Sequence, residues 1–334
     1  MYGKINVSLS KRYNFEVLLI FPKNNVTKQD NKNMKQIIIY LTCLINCSLL
    51  SSQIEQNIIS EDNIIHYTTY GKGEPILIIN GGPGMNSEGF KHLAKIIGKT
   101  NKAIIYDQRG TGQSKMSEIN TSTITMDLMV EDIEAIRNHL KLDKWIILGH
   151  SFGGMLGSHY ASKHPKRIKG LILSASGGID MGIFSRINIE ARLTKTERDS
   201  LNYWNDKISN GNTTLHAKLQ RGKFLAPAYV YDKSFTPIIS KRLTQLNSAV
   251  SQLVFQNMRA INFDCSKGLK DVKAPVLIIQ GKEDIVDKIT AETSANAFQN
   301  SKLVILEKCG HYGWLDQPKA YFENINTYLG KVKN

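Results

Sequence analysis

Apolar and polar positions from residue 53 onward predict strands that alternate with helices. Short apolar runs without polar interruption are typical of strands buried on both faces, and apolar residues at three- and four-residue spacing indicate helices. The predicted strands are 64–70, 75–80, 102–106, 145–149, 168–174, 275–280 and 303–306, and the predicted helices are 88–97, 126–142, 152–164, 290–299 and one from residue 318. This alternation predicts an α/β fold with a mostly parallel sheet flanked by helices.

The alternation stops between residues 180 and 264. No buried strand is evident there, and the segment instead contains helix-like stretches at 187–204, 214–224 and 237–260. The insertion follows the carboxyl end of a strand, which is the edge where ligands bind in open parallel sheets. We therefore predict a core formed by residues 53–179 and 265–334, with residues 180–264 as an inserted helical lid over the functional site.

Residues 34–52 have a different pattern, in which Lys35 precedes an apolar run of 14 residues at 37–50 and small serines follow. This layout is typical of a secretory signal peptide, and the run is shorter than the roughly 20 residues that span a bilayer. A signal peptide begins a chain, so we predict that translation starts at Met34 and that residues 1–33 are a mis-called extension. The mature protein is then secreted or periplasmic, without a stable membrane span.

Two other interpretations of this segment stay open. The run 37–50 could be retained as a membrane anchor, or Cys47 could carry a lipid, although Asn46 is larger than the residue that usually precedes a lipidated cysteine. The mass of the mature N-terminus distinguishes these alternatives.

Composition excludes several functional classes. The 334 residues, of which 41% are hydrophobic, suffice for one large domain with an insertion. The net charge is +14, but residues 1–52 hold seven Lys/Arg and two Asp/Glu, which leaves 36 minus 27, or +9, scattered over the rest. Without a basic run, no nucleic-acid partner is expected.

The four cysteines follow no metal spacing, and we expect no metal or cofactor. Cys265 and Cys309 either form a disulfide after export or are two buried thiols.

A candidate nucleophile lies between the strand at 145–149 and the helix at 152–164. Residues 149–153 read GHSFG and fit the pattern Gly-x-Ser-x-Gly. In this turn the backbone at the serine is strained and its oxygen is held out from the surface. The context of strand, turn and helix favours Ser151 as the nucleophile over a chance match. The side chain of His150, next to it on a sharp turn, is expected to point elsewhere.

A serine hydroxyl needs a base to take its proton, and the base is usually a histidine oriented by a carboxylate. His311 follows the last predicted strand and opens at the edge where Ser151 is expected. Asp284 follows the strand at 275–280, with Glu283 and Asp287 as substitutes. The resulting chain order of serine, aspartate and histidine is the order expected for this architecture.

The negative charge of a tetrahedral intermediate needs backbone N–H donors. Phe152, the residue after the serine, supplies one by position. The second is predicted to be Gly82, in the glycine-rich loop at 80–84 that follows a neighbouring strand. Asp107 and Arg109, in the next strand-exit loop, are interpreted as structural charges that fix that loop.

Together these residues resemble the α/β-hydrolase superfamily and, within it, the proline iminopeptidase-like peptidases, from about residue 60 to the C-terminus. GHSFGG is common to the superfamily, whereas NGGPG at 80–84 and DQRGTGQS at 107–114 are more specific to the peptidases. The segments at 281–284 and 310–311 are similar to the acid and base loops of that family. The resemblance implies a serine hydrolase that forms an acyl-enzyme and acts as an aminopeptidase on small peptides.

The chain also departs from that family. Asn80 stands where its members usually carry histidine, although asparagine can still hydrogen-bond to the loop. The lid carboxylates with which such aminopeptidases hold the substrate amine have only approximate counterparts in Glu190, Glu197 and Asp264, none of which is placed by a motif. Esterase, amidase or lactonase activity on small acyl substrates is therefore an alternative. A catalytically weak ligand-binding protein on the same scaffold is another.

Overall fold

The computed structural model describes residues 2–8, 16–22 and 53–333 and divides the chain into two units. The first unit, which ends at Ser51, contains two antiparallel strands, β1 (Tyr2–Ser8) and β2 (Glu16–Pro22). The predicted signal peptide at 34–52 lies outside the described residues, so export and the assignment of residues 1–33 to an extension stay predictions. Within the described ranges, no helix has both the length and the apolar character needed to cross a membrane.

A single sheet of eight strands forms the centre of the second unit. Its strands are β3 (Gln53–Ser60), β4 (Asn63–Tyr70), β5 (Pro75–Ile79), β6 (Lys102–Tyr106), β7 (Trp145–His150), β8 (Ile168–Ser174), β9 (Val276–Gly281) and β10 (Ser301–Leu306). Their order is β10-β9-β8-β7-β5-β6-β4-β3. The pairs from β6 to β10 are parallel, and β4 is antiparallel to both β3 and β6. The mostly parallel sheet expected from the sequence is confirmed.

Helices cover both faces of the sheet because its central strands are apolar on both sides. Along β5, Leu77 and Ile79 belong to one hydrophobic cluster, whereas Ile76 and Ile78 belong to the other. The α-helices of this unit are α1 (Lys91–Ile97), α2 (Met126–His139), α3 (Phe152–Lys163), α4 (Ile183–Arg186), α5 (Lys195–Ser209), α6 (Leu215–Leu225), α7 (Thr236–Leu243), α8 (Ser248–Ala260), α9 (Ser266–Leu269), α10 (Lys288–Ala297), α11 (Gly313–Asp316) and α12 (Pro318–Lys333). The first cluster includes α2 and α3, and the second includes α1 and α12.

Helices α4 to α8 all lie between β8 and β9 in the chain, in the segment for which a lid is predicted. None of the eight strands comes from residues 180–264. An isolated antiparallel bridge pairs Asp180 with Asp264, so the segment leaves and rejoins the core at one place.

Helix boundaries inside this segment differ from those expected. The helix predicted at 187–204 begins only at Lys195, because Thr194 and Glu197 accept each other's backbone N–H groups in a capping box. The helix predicted at 237–260 is two helices, since Asn247 accepts the N–H of Val250 and starts α8 anew.

Strand β3 was not expected from the sequence. It pairs antiparallel with β4 along its whole length at the end of the sheet. Its first five residues are exposed, and only Ile58 and Ser60 are buried. The strand therefore lacks the long alternation or apolar run by which a strand is predicted.

Cys265 and Cys309 are not joined and are two buried thiols. The sulfur of Cys265 donates a hydrogen bond to the carbonyl of Ile179 at 3.2 Å. Burial raises the pKa of both thiols, so neither is a thiolate near neutral pH. Of the two states left open by the sequence, the structure has the reduced one.

A buried ion pair fixes the loop that follows β6. The guanidinium of Arg109, fully buried, donates from Nε and Nη2 to the two carboxylate oxygens of Asp132 at 2.7 Å each. Its other N–H groups donate to the carbonyls of Thr123 and Leu128. Asp107 accepts from the backbone N–H and the hydroxyl of Ser87, both at 2.8 Å. These contacts agree with a structural role for the charges of this loop.

Replacing Arg109 by methionine is expected to lower the free energy of unfolding by about 3–5 kcal/mol, because Asp132 would stay buried without its partner. The double variant Arg109→Met/Asp132→Leu removes both charges and is expected to lose less. Urea unfolding of the three proteins measures the difference. A single variant as stable as the double variant would contradict a coupled pair.

Candidate active site

Ser151 lies at the turn between β7 and α3, with φ of +55° and ψ of −122°. A non-glycine residue in such a conformation costs on the order of 1–3 kcal/mol and persists only when its surroundings hold it. The Ser151 N–H donates to the carbonyl of Ser174 at 3.1 Å, and the Ser151 carbonyl accepts from Gly154 and Gly177 at 2.9 and 3.0 Å. These bonds tie the turn to β8 and α3.

Two glycines allow the backbone around this turn to come close. A Cβ atom on Gly149 would lie 2.3 Å from the carbonyl oxygen of Gly153. A Cβ atom on Gly153 would lie 2.1 Å from the carbonyl oxygen of Ile79, at the end of β5. Both distances are far below van der Waals contact, so the spacing of the Gly-x-Ser-x-Gly motif follows from the packing of the turn against strand and helix.

His311 and Asp284 form a buried hydrogen-bonded pair. Nδ1 of His311 lies 2.7 Å from Oδ1 of Asp284, and the two side chains are 2% and 0% exposed. Oδ2 of Asp284 accepts from Nε2 of Gln280 at 2.9 Å, and Oδ1 accepts from the N–H of Val286 at 3.1 Å. With Nδ1 engaged, Nε2 is the ring nitrogen left for a reacting group.

The substitutes considered for Asp284 have other partners. Glu283 accepts the backbone N–H of Cys309 at 2.9 Å, and Asp287 caps α10 by accepting the N–H of Ile289 at 2.9 Å. The structure thus brings Asp284, and neither neighbour, to His311.

Ser151 and His311 line one cavity of about 170 Å³, together with Gly82 and Phe152. Within residues 53–333, no hydrogen bond joins Oγ of Ser151 to His311. The hydroxyl and the imidazole therefore share the cavity without a direct bond. Most of the remaining wall is apolar and comes from Met85, Met155, Ile183, Ile187, Leu243, Phe255, Ile285 and Val286.

The loop after β5 approaches the serine closely. A Cβ atom on Gly81 would lie 2.6 Å from Cβ of Ser151, and Gly82 has a φ of +72°. Asn80 holds the loop by donating from Nδ2 to the carbonyls of Gly81 and Met85, at 3.2 and 2.9 Å. Asn80 therefore hydrogen-bonds to its loop, as expected for an asparagine at the position where the peptidase family usually has histidine.

The backbone N–H groups of Gly82 and Phe152, two of the residues that line this cavity, have no acceptor among the described residues. Phe152 is the first residue of α3, and the first N–H groups of a helix lack intrahelical partners. Both groups therefore remain candidates for the predicted oxyanion hole, in the cavity that Ser151 also lines.

The three lid carboxylates are not brought to this cavity. Glu190 is exposed in a short 3-10 turn, Glu197 completes the capping box with Thr194, and Asp264 accepts the N–H of Ser266 at 2.8 Å. None of them is among the residues that line the cavity. Helix and turn capping accounts for the positions of Glu197 and Asp264.

His150 lies in the cavity wall, and the expectation that its side chain points elsewhere is wrong. Its ring is 4.7 Å from the ring of His311 and 4.9 Å from that of Trp314, and both of its nitrogens are buried without a partner in the described part of the chain. Burial holds the pKa of His150 well below its usual range, and the neighbouring His311 lowers it further. This lowered pKa makes His150 a weak proton acceptor, and no carboxylate of the described residues orients its ring, so it does not suit the role of general base.

Arg242 was missed from the sequence, since no motif marks an arginine on a lid helix. It extends from α7 into the site and donates from Nη2 to the carbonyl of Gly81 at 2.9 Å and from Nε to the hydroxyl of Tyr312 at 3.2 Å. Its guanidinium lies 4.7 Å from the centre of the Phe90 ring. Arg242 thereby joins the inserted segment to the loops that carry Gly82 and His311.

Comparison with known proteins finds a family model and relatives that match most of this chain. Residues 74–318 match the family model described as alpha/beta hydrolase fold. A proline iminopeptidase of Heyndrickxia coagulans is 28% identical over 278 residues, which are 78% of this chain and 92% of that protein. One from Lactobacillus helveticus is 24% identical over 277 residues, covering 76% of this chain and 89% of the relative.

Two solved structures with a similar fold are a hydrolase of another kind and an esterase. The 2-hydroxy-6-oxo-6-phenylhexa-2,4-dienoate hydrolase of Rhodococcus sp. strain RHA1 has a TM-score of 0.67 and 21% identity, covering 84% of this chain and 99% of its own. An esterase from Exiguobacterium antarcticum has a TM-score of 0.64 and 20% identity, covering 84% of this chain and 100% of its own. At these identities the likeness is one of fold.

Replacing Gly81 by alanine is expected to lower kcat/KM by at least about 100-fold, because the new methyl group would displace the serine or the loop by a fraction of an ångström or more. Gly330→Ala is the matched control, since that position in α12 has open space for a Cβ atom. Its activity should be unchanged and its melting temperature equal or higher. Equal activity of the two variants would show that the loop containing Gly81 is not part of the active site.

Proposed function

The chain belongs to the α/β-hydrolase family, and we propose that it is a serine hydrolase that forms an acyl-enzyme on Ser151. The observation that carries the proposal is the buried pair of His311 and Asp284, whose imidazole shares one small cavity with a serine in a strained turn. Coupling of a carboxylate, an imidazole and a hydroxyl is the arrangement by which proteins activate serine.

In the proposed reaction, Oγ of Ser151 attacks the substrate carbonyl while Nε2 of His311 takes its proton. Asp284 keeps the ring oriented and stabilises the imidazolium that forms. The N–H groups of Gly82 and Phe152 donate to the oxyanion. His311 then protonates the leaving group as the bond to it breaks, and water repeats the sequence to release the acid and restore the serine.

The cavity favours a short acyl group without a positive charge. Its volume of about 170 Å³ is below the roughly 300–1,000 Å³ of sites for drug-sized ligands. Among the described residues that line it, none carries a carboxylate. A substrate ammonium would lose its hydration there without a counter-charge, which is costly. We therefore propose esters or amides of small acids as the first substrate class.

Aminopeptidase activity on small peptides is the second candidate. The proline iminopeptidases with 24–28% identity over most of both chains support it. It requires a carboxylate for the free amine of the substrate, and Glu190, Glu197 and Asp264 would have to reach the cavity by rearrangement of the lid.

A fluorophosphonate probe tests the nucleophile. The wild type is expected to be labelled covalently at Ser151, and Ser151→Ala should not be labelled. Peptide mapping by mass spectrometry locates the adduct. Absence of labelling in well-folded wild type would favour a ligand-binding protein on this scaffold.

Replacing Asp284 by asparagine is expected to lower kcat by about 10⁴-fold, because the imidazole loses its orienting carboxylate. Asp287→Asn, three positions along, is the matched control. Asparagine is as good a helix cap as aspartate, so activity and stability should be near those of the wild type. Similar losses in both variants would argue against a specific role of Asp284.

A substrate panel separates the two classes. Nitrophenyl acetate and butyrate, prolyl and alanyl naphthylamides, and the N-blocked forms of these amides would be compared by kcat/KM. The cavity predicts turnover of the short esters and no requirement for a free amine. Hydrolysis confined to substrates with a free N-terminus would instead establish the aminopeptidase.

A further inference from the structure

A second cavity, of about 470 Å³, adjoins the catalytic one, and Arg242 and Tyr312 line both. Its wall combines an apolar surface with several basic side chains. The apolar residues are Phe235, Ile238, Ile239, Trp314 and Leu315, and the basic ones besides Arg242 are Lys91, His92 and Lys241. Glu88 is the only carboxylate on this wall within the described chain, and it is exposed and paired with Lys91.

Arg242 is a buried cation without a counter-charge. It is 4% exposed, and its partners are a carbonyl, a hydroxyl and an aromatic ring. Arg109 forms a buried salt bridge with Asp132, whereas Arg242 forms no salt bridge with any residue in the range 53–333. Removing a guanidinium from water without an anion is costly, so a buried arginine is normally paired.

The unused hydrogen-bond donor of Arg242 packs against Gly89, a residue in the wall of the second cavity. Nη1 is buried and has no partner among the described residues. A Cβ atom on Gly89 would lie 2.7 Å from Nη1, and Gly89 lines the second cavity but not the catalytic one. Oε1 of Gln245, on the same wall, is also buried without a partner. Two residues of this wall, Arg242 and Gln245, thus carry a buried cationic donor and a buried acceptor without partners among the described residues.

We propose that this second cavity binds a carboxylate or phosphate group, with Nη1 of Arg242 as its main donor. The anion provides the missing counter-charge, and the apolar wall accommodates a short organic part attached to it. The anionic group belongs either to the substrate, beyond the scissile bond, or to a separate small anion. Only the first source rests on the proposed function.

Binding would be coupled to the catalytic loop. Nη2 of Arg242 donates to the carbonyl of Gly81, and the N–H of Gly82 belongs to the same peptide unit. In a trans peptide these two groups point in opposite directions. An anion that fixes the guanidinium therefore also fixes the orientation of the proposed oxyanion donor.

Thermal unfolding tests the site without any assay of activity. The full chain would be heated with inorganic phosphate or butyrate, against sodium chloride at equal ionic strength. The anions are expected to raise the melting temperature of the wild type, because a ligand that binds only the folded state stabilises it. Arg242→Gln should abolish the shift, whereas Lys302→Gln, the same change on an exposed lysine of β10, should keep it.

A second variant keeps the test decisive if Arg242→Gln does not fold. Gly89→Ala retains the guanidinium but places a methyl group against Nη1. It should weaken binding of phosphate or butyrate at least about tenfold in a titration followed by calorimetry. Undiminished binding in this variant would contradict the assignment of Nη1.

Two esters of butyric acid identify the source of the anion, one with phenol and one with a carboxyphenol as leaving group. A kcat/KM at least about tenfold higher for the anionic ester, lost in Arg242→Gln, identifies the substrate. Equal values, with Arg242-dependent binding of free phosphate or butyrate, identify a separate anion. The proposal is overturned if neither free anion stabilises the protein and the anionic ester is not preferred. That result leaves the proposed function standing wherever the neutral ester is still hydrolysed through Ser151.

Discussion

The close approach of backbone segments around Ser151 is the constraint on which the site depends. The turn is wedged between the end of β5, the start of α3 and the residues after β8, and glycines at 81, 149 and 153 leave room where a single methyl group would collide. The unfavourable φ of Ser151 is held by its backbone hydrogen bonds to Ser174, Gly154 and Gly177. The geometry of the candidate site is thus a consequence of how tightly the main chain packs at the edge of the sheet.

The fold could be predicted from the sequence to the extent that burial repeats regularly along the chain. Strands such as β7, buried at every position, leave a continuous apolar run that can be recognised, whereas β3 is mostly exposed and leaves none. Helix ends inside the lid were misjudged because a capping box at Thr194 and an asparagine cap at Asn247 interrupt otherwise helical patterns. Such signals are local and weak compared with periodicity.

The site could be predicted where a residue's place follows from its strand. Ser151, Asp284 and His311 follow strand ends, and parallel strands bring their carboxyl ends to one edge. Arg242 and His150 reach the cavity through the orientation of a lid helix and of a turn, which no spacing in the sequence encodes. For the same reason the lid carboxylates could not be placed. The sequence also does not distinguish two buried arginines, of which Arg109 is paired with Asp132 and Arg242 has no carboxylate partner among residues 53–333. Only the structure shows this difference.

The bridge between Asp180 and Asp264 has a consequence for how this protein could diversify. Because the inserted segment departs and returns at a single point, its length and content can vary at little entropic cost to the core. Evolution or engineering could exchange the whole segment and so change the cavity wall that it contributes, while Ser151, Asp284 and His311, the proposed reacting residues, stay on the core. A replacement segment would still have to supply the contact that Arg242 makes with the carbonyl of Gly81.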